Sequence, residues 1–176
     1  MTVPPSFVGA WERRSIALDG GPATEPASVI WVQGHSAYAD LRLPFDATDD
    51  IDCFAGHTTW DGTHLHWSHD LDLNGGPAAT ADTGAIGWSA PNVMVETGTF
   101  ELEGRAVPYV EVWHRLAGSE GRVVETTEWG MTCVQVGAHE LCIVDGRSSG
   151  RGFTAQYRRG GAVVLSYGVP AEAEAV

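Results

Sequence analysis

Lysine is absent from all 176 residues, and the ten basic side chains are arginine. That absence excludes Schiff-base catalysis, pyridoxal-phosphate attachment and a P-loop lysine. Cysteine is scarce: Cys53, Cys133 and Cys142 are an odd set with no CxxC spacing. They read as small buried hydrophobes in a reducing compartment, not as a disulfide framework or a structural zinc site. No apolar run approaches the roughly 18 residues that span a bilayer. The opening segment, Met1-Thr-Val-Pro-Pro-Ser-Phe-Val8, lacks the basic stretch and apolar core of a signal peptide. Together these features predict a cytoplasmic protein. Positive charge is also in deficit, with ten basic against 23 acidic residues and a formal net charge of −13. Such a surface repels nucleic acid and anionic membranes alike.

Apolar residues make up 43 % of the chain and charged residues 19 %, the balance of a globular domain. No window carries a helical apolar period. Instead, 22 Gly and nine Pro punctuate short β-rich runs. The runs are Trp11–Leu18, Val29–Gln33, Tyr38–Leu43, Phe54–Trp60, His64–Leu73, Val93–Phe100 and Val107–Leu116. Arg122–Trp129, Met131–Val136, Leu141–Val144, Phe153–Arg158 and Val163–Tyr167 complete them. The pattern predicts an all-β fold, a single antiparallel barrel with an internal cavity over residues 1–169 and a tail over 170–176. A short helix that could act as a lid fits best at Phe45–Asp52, and Gly146–Gly152 reads as a flexible loop.

The strongest local signal is Trp60-Asp61-Gly62-Thr63, where Asp-Gly suits a two-residue type I′ turn. That turn would pair Trp60 with Thr63, Thr58 with Leu65, Gly56 with Trp67 and Phe54 with His69, letting the Trp67 ring cover Gly56. His69 then stands on an inner apolar face with Leu65, Trp67, Leu71 and Leu73. His57, His64 and His66 share the outer face with Thr59, Ser68 and Asp70, His57 directly across from His66. Three converging imidazoles resemble a zinc or iron site. The company of other small polar groups favours a solvated strand face, and no metal or organic cofactor is expected.

Tyr38, Asp40 and Arg42 alternate with Ala39, Leu41 and Leu43. Val29, Trp31 and Gln33 share one strand face, as do Tyr109, Glu111, Trp113 and Arg115. Large aromatics mixed with a few polar groups suit a ligand cavity, although a surface ladder has the same alternation. Trp31, Gln33, Tyr38, Trp67, Tyr109 and Trp113 are therefore the candidate lining. His69 is the candidate general acid or base, with Asp40 or Glu111 as its partner and Arg42 to steady negative charge. There is no GxSxG elbow for a nucleophile.

Gly9-Ala10-Trp11 resembles the GxW signature of lipocalins and related calycin barrels. There the Trp closes the barrel base, often with an Arg from the last strands, which implies Arg158 or Arg159 here. Over most of its length the chain is similar to the fungal Hri family and to uncharacterised bacterial proteins. The landmarks are Trp11-Glu-Arg-Arg-Ser-Ile, Val29-Ile-Trp-Val-Gln33, Tyr38-Ala-Asp-Leu-Arg-Leu-Pro44, Phe54-Ala-Gly56, Trp67–Asp72, Val95-Glu-Thr-Gly98, Tyr109-Val-Glu-Val-Trp-His-Arg115 and Leu165-Ser-Tyr-Gly168. The resemblance implies a calycin/lipocalin-like barrel and no particular reaction.

The expected function is a cofactor-independent lyase, isomerase or cyclase acting by acid–base chemistry on a small hydrophobic or amphipathic ligand. A non-catalytic carrier is the alternative, and a His-ligated metal enzyme the third reading. Trp88 and Trp129, outside the proposed pocket, leave room for a homodimer.

Overall fold

The computed structural model describes residues 3–47, 50–75, 82–102 and 104–168. The predicted tail 170–176 lies outside them. Its strands are β1 (Gly9–Leu18), β2 (Ala27–Gln33), β3 (Ala37–Pro44), β4 (Asp52–Trp60), β5 (His64–Trp67), β6 (Leu71–Asp72), β7 (Asp82–Ala90), β8 (Val93–Leu102) and β9 (Arg105–Arg115). A second group follows: β10 (Val123–Glu128), β11 (Met131–Val136), β12 (His139–Asp145), β13 (Phe153–Arg159) and β14 (Ala162–Tyr167).

The first sheet runs β3-β2-β1-β9-β8-β7-β5-β4-β6, and an additional β3–β4 pairing closes it on itself. Eight antiparallel strands thus form a complete barrel, with β6 an extra strip on β4. Eight strands leave a lumen wide enough for packed side chains or one small ligand. The last five strands form a separate meander laid against the outside of β2, β3 and β4. Between the two lies an apolar core in which Val32, Ala39, Leu41, Cys53 and Ala55 of the barrel meet Val134, Leu141, Ile143 and Ala155 of the meander. Two polar clamps flank this core. The Glu125 carboxylate accepts hydrogen bonds from the backbone N–H groups of Ser36 and Ala37 (2.8 and 2.9 Å), and Arg147 donates to the carbonyls of Asp72 and Leu73 (2.8 and 3.0 Å).

One end of the barrel is plugged. Phe7 packs on Trp60 and Trp88 at 5.1 and 5.5 Å, and Trp11 Nε1 donates to the Phe7 carbonyl at 2.8 Å. The guanidinium over Trp11 belongs to Arg115 (4.6 Å), which also donates to the Val8 and Ser6 carbonyls. Arg158 and Arg159 do not take that place, because the chain's last strands are not in the barrel. Arg115 ends the last strand that is.

The β4–β5 hairpin departs from the expected register. Asp61 N–H donates to the His64 carbonyl, and the Asp61 carboxylate accepts from Thr63 and His64 N–H at 2.8 Å, so Gly62 and Thr63 form the tip. Trp60 therefore pairs with Leu65, Thr59 with His66 and Thr58 with Trp67. A slip of two keeps every side chain on its face, so Leu65 and Trp67 still point into the barrel. His66 consequently lies opposite Thr59, while His57 accepts at its carbonyl from the Ser68 N–H and does not face His66.

After Trp67 a bulge at 68–70 inserts one residue, and pairing resumes as Ala55 with Leu71 and Phe54 with Asp72. Odd parity turns Leu71 and Leu73 outward to the meander, away from Leu65 and Trp67. Gly56 is covered by Ser68 rather than by the Trp67 ring: a Cβ there would collide with the Ser68 carbonyl, to which Tyr38 Oη donates at 3.0 Å.

Three further expectations change. The described part of Phe45–Asp52 holds no helix; residues 48 and 49 lie outside the described ones. The 146–152 loop is instead a 3₁₀ turn, Arg147–Ser149, anchored by Arg147 to Asp145 at 2.7 Å. Cys133 and Cys142, directly paired on β11 and β12, form a disulfide, while Cys53 is free and buried. The argument from unpaired cysteines to a reducing compartment therefore does not hold. No helix among the described residues is long and apolar enough to cross a membrane.

Ile143 is fully buried between meander and barrel. Ile143→Ala is expected to cost roughly 2–5 kcal/mol of unfolding free energy. A shift of the denaturant midpoint reports it, and an unchanged midpoint would mean that the meander is not fastened there.

Candidate functional site

The barrel interior is divided along its axis. Toward the plugged end, Trp11, Leu65 and Met94 fill the space and are fully buried. Beyond them Trp31 meets Trp67 and Trp113 edge-to-face, with centroids 6.0 and 5.6 Å apart. The next layer inward-facing on β3, β7, β8 and β9 is charged. Between aromatic and charged layers lies a narrow cavity of about 20 Å³, lined by Trp31, Tyr38, Asp40, Arg42, Phe54, Trp67, Asp82, Glu96 and Trp113. A single water needs about 10–15 Å³ of such space, so an organic molecule is admitted only where the lining side chains move apart.

Charge inside the barrel is mostly paired. Asp40 accepts from Arg42 Nε and Nη2 at 3.0 and 3.2 Å, and the Arg42 guanidinium lies 4.8 Å over the Phe54 ring. Burial raises the Asp40 carboxyl above its ordinary range, with Arg42 pulling back. Glu111 accepts from Arg13 Nη1 at 2.6 Å, and Glu25 takes Arg13 Nε at 2.9 Å.

Among the described residues no ion pair holds Glu96, although the Arg42 charge lies near enough to pull its carboxyl down. Its Oε1 accepts from Tyr109 Oη at 2.7 Å, and its side chain crosses Gly84, where a Cβ would come within 2.7 Å of it. Burial first, then the nearby Glu111 charge, raises the Glu96 carboxyl from its ordinary 4.5 to about 8. At neutral pH it is a protonated acid in an aromatic cavity. Burial and the same carboxylate also push the Tyr109 phenol up, so it stays a donor.

His69 is half-buried at the wall. Its ring stacks on Phe54 at 4.3 Å, Nδ1 meets Asp72 at 3.0 Å and Nε2 meets Asp82 at 3.4 Å. Burial opposes its positive form, but hydrogen bonds to Asp82 and Asp72 outweigh that and raise its pKa.

Of the residues singled out in the sequence, Trp31, Tyr38, Asp40, Arg42, Trp67 and Trp113 line this cavity. Tyr109 reaches it through Glu96. Gln33 does not line it: fully buried, it accepts from Thr58 Oγ1 at 2.8 Å and donates to the Gly34 and Ala37 carbonyls. His69 has Asp72 and Asp82 as partners in place of Asp40 or Glu111, because each of the latter is taken by an arginine. His57, His64 and His66 remain on the outer side. His57 meets Asp70 at 2.7 Å, His66 meets Asp61 at 2.8 Å, and His64 meets Thr63 Oγ1 at 2.8 Å.

Phe54, Asp82 and Glu96 were missed as lining residues. Asp82 opens β7, a strand hidden by its glycines and its lack of a β-branched run. Glu96 was legible only as the acid sharing a strand face with Met94.

A closed eight-stranded antiparallel barrel with one end plugged by aromatics and a lined cavity inside is a calycin-like barrel. The family profile described as Protein HRI1 matches residues 10–160, and the chain belongs to that family. No curated protein matches it.

Two outcomes follow from the charges. Below about pH 4.5 Glu96 is protonated in both folded and unfolded chains; as pH rises, the unfolded chain releases its proton first. Stability due to the raised folded pKa is therefore lost progressively up to about pH 8 and stays lost above it. Glu96→Gln removes that dependence, so the thermal midpoint of the native protein should fall relative to the variant across this window. A constant difference would contradict a neutral Glu96. Arg13→Met strands the buried Glu111 and should cost about 3–5 kcal/mol, read from denaturant unfolding.

Proposed function

We propose that the barrel is a cofactor-independent acid–base enzyme of the lyase, isomerase or cyclase type, acting on a small, mostly apolar molecule held among its aromatic rings. The observation that carries this reading is the pair of proton-handling groups in one small aromatic cavity. Glu96, neutral near pH 7, supplies a donor. Asp82 supplies an acceptor, hydrogen-bonded to His69 and through it to Asp72. Rings on several sides orient the substrate and keep water out, which is where a single proton transfer gains most.

Arg42 is held by Asp40 and stacked on Phe54, so it serves as a fixed dipole at the cavity wall more than as a free cation. The three outer histidines take no part.

Native mass spectrometry of the protein as purified identifies the occupant of the barrel. Incubation of the released occupant and close analogues with fresh protein then tests for conversion. The expected result is turnover by the native protein, reduced about 10²–10⁴-fold in Glu96→Gln with binding retained. Binding without conversion by the native protein would make the barrel a carrier and end the enzymatic reading.

A further inference from the structure

Trp11 shows what a buried indole in this barrel ordinarily does: its N–H finds the Phe7 carbonyl. Trp31 and Trp113 do not follow it. Each is only 2 % exposed, and among the described residues the Nε1 of neither has a hydrogen-bond partner. Both rings line the same cavity, 5.6 Å apart and nearly perpendicular. A buried donor without an acceptor is costly, and native proteins seldom leave two together. Phenylalanine would fill much of the same space without that cost. Filling the barrel therefore accounts for the rings but not for their N–H groups.

We propose that the indole N–H groups of Trp31 and Trp113 are the hydrogen-bond donors for the bound molecule, and that this molecule carries a neutral carbonyl oxygen at its aromatic-facing end. The inference rests on the barrel being a ligand-binding cavity, as proposed above, and names the substrate class. The walls decide against an anion. Asp40 and Asp82 already face the cavity, and Arg42 is committed to Asp40, so a carboxylate or phosphate would meet net negative charge. A ketone, aldehyde or ester oxygen accepts from indole without bringing charge. Such a carbonyl also fits a nearby proton donor and acceptor, because removing an adjacent C–H proton leaves negative charge on that same oxygen. The electron pair of the broken C–H bond moves onto the carbonyl, the proton goes to the Asp82 carboxylate, and Glu96 can return a proton to carbon or to oxygen.

Acetophenone and ethylbenzene, nearly equal in shape and differing by the oxygen, are suitable probes. Titration of the full-length protein is followed by the indole ¹H–¹⁵N resonances, assigned with Trp31→Phe and Trp113→Phe. The expected result is acetophenone binding at least about tenfold tighter than ethylbenzene, with both indole signals moving only on the ketone. The double Phe variant should unfold no more easily than the native chain, still bind ethylbenzene, and lose the preference.

Equal affinity for the two probes, or a preference that survives in the double variant, overturns the donor assignment alone and leaves the cavity standing. Indole signals that are already in the hydrogen-bonded range and do not move on the ketone also overturn it, because a trapped water then satisfies them. Binding of neither probe overturns the cavity reading and the proposed function with it.

Discussion

Burial of β2, β3 and β4 on both faces is the constraint from which the rest of the molecule follows. A strand sends alternate side chains to opposite sides, and in most antiparallel sheets one of those sides is water. Here one side is the lumen and the other is covered by the meander. Ala39 and Leu41 must therefore be apolar to pack on Leu141 and Ile143, while Tyr38 and Asp40 on the same strand enter the cavity. The apolar demand is met on the outside of the barrel, which is what frees its inside to carry charge. A barrel of this size without the meander would expose a continuous apolar face to water.

The polar half of the lumen has its own logic. Buried charge is tolerated when it is paired and hydrogen-bonded. Arg13 holds Glu111 and Glu25, and Arg42 holds Asp40 in a two-point contact. Both of these arginines are then committed, and among the described residues Glu96 keeps a phenol as its hydrogen-bond partner. It responds as an isolated buried acid does, by keeping its proton. The absence of lysine from the chain sharpens this arrangement, since the guanidinium fork matches a carboxylate with two bonds where an ammonium offers a point charge.

Much of the fold was legible. Strand boundaries for β1, β3, β11 and β13 fall within a residue or two of the runs read from apolar alternation, and the GxW triplet did mark the plugged end of a barrel. β7 was not legible, because Gly84 and Gly87 break the apolar alternation of a strand that β8 and β5 flank. The β4–β5 register failed for a local reason. Asp61 used its carboxylate to cap the turn rather than serving as a turn residue itself, and a bulge after Trp67 then reversed the parity that the leucines depended on. The cysteines failed for a long-range one: Cys133 and Cys142 become neighbours only when β11 and β12 pair.

What the sequence by itself determined is which residues share a strand face wherever no bulge interrupts the strand. Period-two alternation is a property of the backbone, independent of what lies above or below it. It placed Tyr38 with Asp40 and Arg42, and Glu111 with Tyr109 and Trp113, without any knowledge of the fold. What that alternation cannot carry is which face turns inward when neither face meets water. Only closure of the ring through β3 and β4, and the docking of the meander outside them, decided that these polar faces look into a cavity. Those events bring together residues far apart in the chain, and with them the pairing that leaves Glu96 protonated.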